Sequence, residues 1–238
     1  MTLLGMFFVA VVFLQISVLV TTVYLHRDLT HGGLELNVVV KNLMHLWITL
    51  FIGIVPREWV AVHRKHHRFS DREGDPHSPY IYGLWHVFFG NFFYYRREKK
   101  NRAMVETFVP EYKNDLIDRL PLVQYGILGG LAIFVLMFGW AWGAGLFVFH
   151  AVAYVLLNAG VNSFCHWVGY RNFQNMATNF RLWAYLTWGE GLHNNHHQSP
   201  RSARFSARPD EFDPAWPVIR LLEKLGLARV KNESLARI

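Results

Sequence analysis

The stretch LELNVVVKNLMHLWITLFIGIV, residues 34–55, decides the topology of this chain. It is apolar enough to suggest a membrane-spanning helix, yet it carries an acid, a lysine and a histidine. Histidine clusters stand on both sides of it, HRDLTH at 26–31 and HRKHH at 63–67. If the stretch crossed a bilayer, these clusters would lie on opposite faces and could not share one site. We therefore predict a helix at 36–55 that does not cross, but lies in the interface or enters the membrane and returns.

Two other stretches have the length of membrane spans. Residues 3–25 contain no Asp, Glu, Lys or Arg, and a helix of that length spans a hydrocarbon core of about 30 Å. Residues 120–161 are also free of charge over about twice the spanning length, and a Gly-rich turn divides them. The predicted spans are 3–25, 121–140 and 143–162.

The charged residues indicate how the chain is oriented. Lys and Arg are concentrated between residues 57 and 119, whereas no long charged loop lies on the other side. Because cytoplasmic loops carry an excess of these residues, we predict a helical cap of 57–119 and 163–238 on the cytoplasmic side of the inner membrane. The N-terminus would then lie outside. The expected fold is one domain, 1–238, of an all-α integral membrane protein.

The composition limits the kinds of site that the chain can hold. Hydrophobic residues make up 52% of it and aromatic residues 16%, which favours surroundings of membrane lipid. The net charge of +7 is explained by cytoplasmic loops, so no nucleic-acid partner is expected. A single cysteine, Cys165, excludes both an intramolecular disulfide framework and a thiolate metal cage. Any metal must therefore be bound through nitrogen and oxygen.

Histidines recur at metal-ligand spacings in four boxes, the two named above, NSFCH at 162–166 and HNNHH at 193–197. Side chains at i, i+3 and i+4 share one face of a helix, so each HxxHH box can direct its imidazoles at one point. The set exceeds the needs of one zinc ion and suits two metals, although imidazole alone does not distinguish iron, copper, nickel and zinc. The candidate metal-site residues are His26, His31, His63, His66, His67, Asn162, His166, His193, His196 and His197.

Acidic residues lie beside these boxes and could accept the outer N–H of ligating imidazoles, which would set the tautomer of each ring. These expected supporting residues are Asp71, Asp75 and Glu190. Other histidines lack such neighbours and are interpreted as structural or supporting: His45, His77, His86 and His150.

The boxes HRDLTH, HRKHHRFSD, NSFCHWVGYRN and GEGLHNNHH, together with EGDPHSP, resemble those of the membrane-bound fatty acid desaturases over residues 24–200. The resemblance is to the acyl-CoA (stearoyl-CoA, Δ9-type) desaturase family in its short bacterial form. It implies a transmembrane bundle under a cytosolic cap, with two iron ions bound by the nine histidines among the candidate metal-site residues. It also implies that Asn162 acts on the centre through a water molecule. The chain departs from larger animal members in having one predicted span before the first box rather than two.

The resemblance implies an enzyme that uses O2 to introduce a cis double bond into a saturated acyl chain. Unactivated methylenes are not acidic, so the cofactor must supply the chemistry and the protein must position the chain. The acyl group would be carried by CoA, a carrier protein or a phospholipid. Because no haem domain is fused to the chain, electrons would come from a separate ferredoxin or cytochrome with its NAD(P)H reductase.

Two other functions remain open from the sequence. A di-iron hydroxylase acting on an alkane, sterol or carotenoid would use the same metal ligands, although the boxes and their flanks favour a desaturase. A membrane metal transporter or metal-binding scaffold is a more distant alternative. Transporters place ionisable ligands within the bilayer, whereas these boxes lie at or beyond the ends of the predicted spans.

Overall fold

The N-terminal apolar run forms a helix that continues beyond its predicted end. The computed structural model describes residues 1–120, 123 and 125–233. Helix α1 covers Leu3–Val20, and a π-helical segment covers Thr21–Thr30 directly after it. Together they form an apolar helix of 28 residues, Leu3–Thr30, which by length and composition can cross a membrane. The predicted span at 3–25 therefore stops short of the helix end, because the polar residues of the first histidine box continue the helix.

The stretch that decides the topology folds as a helix with a sharp bend after it. Helix α2 covers Val38–Phe51 and α3 covers Pro56–Phe69, and the pair is bent by 91°. Gly53 lies in the bend with a φ of 69°, a conformation that glycine adopts at little cost. Pro56 then begins α3, where a missing N–H costs no helical hydrogen bond. Such a bent pair is either a broken span or a re-entrant segment. Helix α2 is also shorter than the predicted helix at 36–55.

The second apolar run forms two helices that meet at Gly139. Helix α7 covers Gly126–Phe138, and α8 covers Trp140–Ser163 with a 3₁₀ turn, Phe164–His166, after it. Trp140–His166 is the second described helix long and apolar enough to cross a membrane, whereas α7 has 13 residues. The predicted span at 121–140 begins at residues 121, 122 and 124, which lie outside the described residues. By length and composition, the described helices provide two spans, or three if the bent pair is one span.

Shorter helices build the part of the chain around the histidine boxes. They are α4 (Pro79–Tyr82), α5 (Leu84–Lys99), α6 (Arg102–Phe108), α9 (Arg181–Leu186), α10 (His193–Gln198) and α11 (Ala215–Lys224). Helix α5 packs along α8, and α6 packs against α3. The predicted cap residues 234–238 lie outside the described residues.

The chain is mostly helical rather than all-α. Strand β1, Leu34–Leu36, pairs antiparallel with β2, Ala228–Val230, so that Leu34 lies opposite Val230. The prediction of an all-α fold is wrong in this detail. Each strand has three residues, too short for alternation of apolar and polar side chains to distinguish a strand from a helix end.

Two apolar clusters hold these elements together. One joins α1, α2, α7 and α8 through Ala10, Phe51, Phe134 and Phe147. The other joins the π-helical segment to β1, α2 and α11 through residues that include Val23, Leu34, Ile48 and Ile219. The second cluster brings the first histidine box against the C-terminal part of the chain.

Candidate metal centre

Five histidines from three parts of the chain form the first group. Their ring nitrogens can all lie within 4.8 Å of one another, the distance expected of atoms that share one ion. The π-helical segment and its end supply two of them, α3 supplies two, and α10 supplies one. The group consists of His26, His31, His63, His67 and His196.

The π-helical geometry explains how the spacing HxxxxH brings two imidazoles together. In an α-helix, side chains five residues apart point about 140° away from each other. Here the N–H of His31 donates to the carbonyl of His26 over 3.2 Å, and this i→i+5 pattern returns the chain to nearly the same face. The two ring centres lie 4.9 Å apart.

Four histidines form the second group, which lies beside the first. It consists of His66, His166, His193 and His197. Each HxxHH box is therefore divided between the two groups. On α3, His63 and His67 belong to the first group and His66 belongs to the second. On α10, His196 belongs to the first group, and His193 and His197 belong to the second. The expectation that each box points at one site is wrong, because i+3 and i+4 side chains lie on opposite sides of the i position, about 60° and 40° away from it.

Three acids hold the outer nitrogens of these rings. His26 donates from Nδ1 to Glu190 over 2.7 Å, and the hydroxyl of Thr22 donates to the same carboxylate oxygen. His66 donates from Nδ1 to both oxygens of Asp75 at 3.0 Å. His166 donates from Nδ1 to Asp71 over 2.7 Å in the same way. These are the three acids that the sequence singled out as supports.

The nitrogens that face inward fit a metal ion. A neutral imidazole that donates from Nδ1 has only a lone pair at Nε2. The Nε2 atom of His26 lies 3.0 Å from that of His196, which lies 2.9 Å from that of His67. Within the described part of the chain, Nε2 of His31 and Nε2 of His166 are buried without any hydrogen-bond partner. These Nε2 lone pairs converge without enough N–H or O–H groups to donate to them, so a cation satisfies them best. Neutral imidazoles are ligands for iron, copper, nickel and zinc.

The protonation states also suit metal binding. Burial, followed by the repulsion of neighbouring imidazoles, lowers the pKa of His193, His196 and His197 well below the usual 6.5. These rings are therefore neutral at pH 7, as ligands must be. His66 differs from these rings: burial lowers its pKa, but the charge of Asp75 and their hydrogen bond outweigh burial and raise that pKa above the usual 6.5. His66 must therefore release this proton before its Nε2 can bind a metal ion.

Asn162 lies outside both groups. Its side-chain nitrogen donates to the side-chain oxygen of Asn91 over 3.0 Å, and it lines a cavity together with His26 and Glu190. His77, which the sequence indicated as a structural or supporting residue, lines the same cavity with its ring centre 4.7 Å from that of His66. Both of its ring nitrogens are buried and lack partners among the described residues. In the sequence, the position of His77 two residues after Asp75 is the feature that indicates a place near the histidine groups.

Histidines outside the two groups have other contacts. His45 lies 2.6 Å from Asp115 through Nδ1, and His150 lies 2.9 Å from the hydroxyl of Ser17 through Nε2. These contacts agree with the interpretation of His45 and His150 as structural or supporting residues.

An apolar cavity of about 520 Å³ reaches the first group. His26, His63 and Glu190 are among its polar lining residues, and α5 adds Arg96 and Lys99. The apolar lining comes from α2, α3, α5, α7 and α8 and from the bend after α2. This volume and lining are typical of pockets for small or elongated apolar ligands. A second cavity, of about 880 Å³, is polar and borders His31 between Arg64 and Arg201.

Comparison with known proteins identifies the family. The family model described as fatty acid desaturase matches residues 2–220. The chain is similar to icosanoyl-CoA 5-desaturase of Limnanthes douglasii, with 34% identity over 230 residues that cover 89% of this chain and 60% of that protein. It is 31% identical to Delta-9 acyl-lipid desaturase 2 of Arabidopsis thaliana over 92% of this chain and 72% of that protein.

A bacterial relative extends the similarity beyond plants. The sn-1 stearoyl-lipid 9-desaturase of Anabaena variabilis is 33% identical over 87% of this chain and 76% of that protein. The family model covers well over half of the 238 residues, including all four histidine boxes. The chain therefore belongs to the fatty acid desaturase family, whose members are oxidoreductases.

Proposed function

We propose that this chain is an O2-dependent fatty acyl desaturase that binds two iron ions, one in each histidine group. The observation that carries the proposal is the arrangement of nine histidines, five in one group and four in the other, at the end of an apolar cavity. When bound, two irons with O2 supply the oxidising power that removes hydrogen from methylenes too weakly acidic for any side-chain base. The protein contributes position and the exclusion of water.

The residues divide into ligands and supports. The first iron would be held by His26, His31, His63, His67 and His196, and the second by His66, His166, His193 and His197. Asn162 would act on the centre through a water molecule. Asp71, Asp75 and Glu190 hold the outer nitrogens of their partner rings, so that each Nε2 lone pair points inward.

The substrate is a saturated acyl chain that enters the apolar cavity. The overall reaction converts –CH2–CH2– to cis –CH=CH–, with O2, two electrons and two protons consumed and two waters released. A separate ferredoxin or cytochrome with an NAD(P)H reductase would supply the electrons. The carrier is CoA, a carrier protein or a phospholipid, since the names of the relatives include both CoA and lipid substrates.

The proposed setting is the cytoplasmic membrane, with the histidine groups on the cytoplasmic side and the N-terminus outside. The cations of residues 57–119 and the apolar helices Leu3–Thr30 and Trp140–His166 support this orientation. The whole chain, 1–238, would act as one domain.

Expression of the chain in a host of defined lipid composition tests the function. Gas chromatography with mass spectrometry should show new monounsaturated fatty acids, and a His196→Ala variant should abolish them. His86→Ala is the matched control, because His86 is exposed on α5 and lies outside both groups. Hydroxylated products would indicate the hydroxylase instead, and an unchanged profile from a protein without bound iron would refute the proposal.

A further inference from the structure

Two buried carboxylates follow the last histidine box. The segment 203–213, called the strap below, runs over the histidine groups after α10. Its Glu211 and Asp213 are only 6% and 2% exposed. Asp210 lies beside them in sequence, but its side chain is 47% exposed and pairs with Arg181 at the surface. Carboxylates are seldom buried without a specific partner, so the partners of Glu211 and Asp213 indicate what the strap does.

Asp213 binds Arg27, the residue next to His26. The guanidinium donates to both carboxylate oxygens, at 2.8 and 3.0 Å, and neither side chain is exposed. Asp213 also accepts the backbone N–H of Phe205 over 2.9 Å. This planar, two-point contact holds the first histidine box in one orientation relative to the strap.

Arg27 contacts two segments that surround the first group. It donates to the carbonyl of Ala203 over 2.8 Å and to that of Trp188 over 3.3 Å, two residues before Glu190. The ring of Phe205 lies 3.8 Å from the guanidinium carbon and covers it. The same ring lies 4.7 Å from the ring of His196. Arg27 therefore holds the backbone near His26 and near its acceptor Glu190, and Phe205 holds the ring of His196.

Glu211 acts on the other box in a similar way. One of its oxygens accepts the side-chain N–H of Asn195 over 2.8 Å, and Asn195 lies between His193 and His196. Asn195 also donates to the carbonyl of Phe205 over 2.9 Å. The backbone N–H groups of Ala207 and Arg208 bind the same oxygen of Glu211, at 2.7 and 3.0 Å. The strap thus holds α10 through an asparagine inside the HNNHH box.

The close fit extends to the glycine before Glu190. Gly189 has a φ of 98°, and a Cβ atom built on it would lie 2.2 Å from Asp213 and 2.8 Å from Arg27. No side chain can be accommodated there without displacing the ion pair. The backbone that carries Glu190 therefore passes directly over the contact between Arg27 and Asp213.

We propose that Arg27, Asp213 and Glu211 are positioning residues, and that the strap sets the geometry of the two metal groups rather than only stabilising the fold. The inference rests on the proposed function, since it assumes that the two groups bind metal. Arg27 and Asp213 act on the first group through His26 and His196. Glu211 acts on both groups, because α10 supplies ligands to each.

Cobalt binding to the full-length protein tests the inference. The purified protein in detergent is stripped of metal and titrated with Co²⁺, and both the number of ions bound and the absorption spectrum are measured. Asp213→Asn and Arg27→Lys should weaken binding at one site about tenfold or more and alter its spectrum, with the other site retained. Glu211→Gln should disturb both sites. Asp210→Asn is the matched control and should bind like the wild type.

Thermal unfolding of the metal-free proteins separates positioning from stability. Variants with lowered unfolding midpoints that still bind two Co²⁺ ions with wild-type affinity and spectrum would show a purely structural strap and overturn the inference. Arg27→Lys keeps the buried charge pair, so it remains informative if Asp213→Asn does not fold. Loss of the folded state in all three variants would also overturn it. A wild type that binds no Co²⁺ would overturn the proposed function as well.

Discussion

Asp75 shows how one side chain can set the chemistry of a neighbouring ring. Both of its oxygens accept from Nδ1 of His66, and they also accept the backbone N–H groups of Asp71 and His77. The ring of His66 is thereby held in the tautomer whose lone pair points into the second group. A neutral amide at this position cannot enforce that tautomer, because it can present either an oxygen or an NH2 group to the ring.

We therefore expect Asp75→Asn to weaken metal binding in the four-histidine group by about 10-fold to 100-fold. Metal content per chain, measured after equilibration with limiting Fe²⁺, checks this. Glu73→Gln is the control, because Glu73 is exposed and lies two residues away. Equal metal content in the two variants would contradict the assigned role of Asp75.

Ala151 lines the apolar cavity. It lies on α8 eleven residues before Asn162, so the two are about 16 Å apart along the helix. Ala151→Phe should fill part of the cavity and shift the products toward shorter acyl chains, as read by gas chromatography. Val152→Phe is the matched control, because Val152 is 53% exposed on the outer side of the same helix. An identical chain-length profile for both variants would exclude this cavity as the acyl site.

At the scale of elements, the π-helical segment matters most for the centre. Thr30 supports it, because its hydroxyl donates to the carbonyl of Leu25 over 2.6 Å. This i→i−5 contact follows the same wide turn that brings His26 and His31 together. An α-helix over these residues would direct the two imidazoles away from each other.

Thr30→Val removes this hydrogen bond with little change of shape. We expect it to lower the free energy of unfolding by about 1 kcal/mol and to reduce metal content. Thr107→Val is the control, since the hydroxyl of Thr107 makes an exposed bond of 2.8 Å to Ala103 on α6. Thermal unfolding with metal analysis measures both effects, and unchanged metal content in Thr30→Val would count against the role of the π-helical turn.

At the scale of the whole molecule, the histidine groups couple folding to pH. Burial lowers the pKa of His31, His193, His196 and His197 in the folded protein, whereas in the unfolded chain each titrates near about 6.5. Below that pH these four histidines bind more protons in the unfolded chain than in the folded protein, whereas His66, whose pKa is raised beside Asp75, has the opposite effect. The free energy of unfolding must then fall as pH falls, and above it these groups have no effect.

The metal-free protein should therefore unfold at a lower temperature at about pH 5.5 than at about pH 7.5, and bound metal should raise both midpoints. Unfolding scans of chelator-treated and Fe²⁺-loaded protein measure this. The comparison between them is the control, because metal occupies the lone pairs that protons would otherwise take. A midpoint that rises toward acid pH would contradict neutral histidines in the folded state.

Local patterns in the chain identified most of the residues of the site. The spacing of His63, His66 and His67 is repeated in His193, His196 and His197, and a helix places such side chains within about 100° of one another. Charge-free runs likewise predicted the apolar helices now seen at Leu3–Thr30 and Trp140–His166. These features depend on neighbours within a few residues, so they can be read without knowing the fold.

What the sequence determined by itself was thus the set of histidines, their nearby acids and the apolar helices that carry them. The tertiary structure alone decided how each HxxHH box divides between two groups, that Glu190 meets His26, and that Asp213 meets Arg27. It also decided the pairing of β1 with β2 and the bend of 91° after α2. The physical reason is range: hydrogen bonding along a helix is local and periodic, whereas the contacts of Glu190 with His26 and of Asp213 with Arg27 join residues 164 and 186 positions apart and depend on the packing of the whole chain.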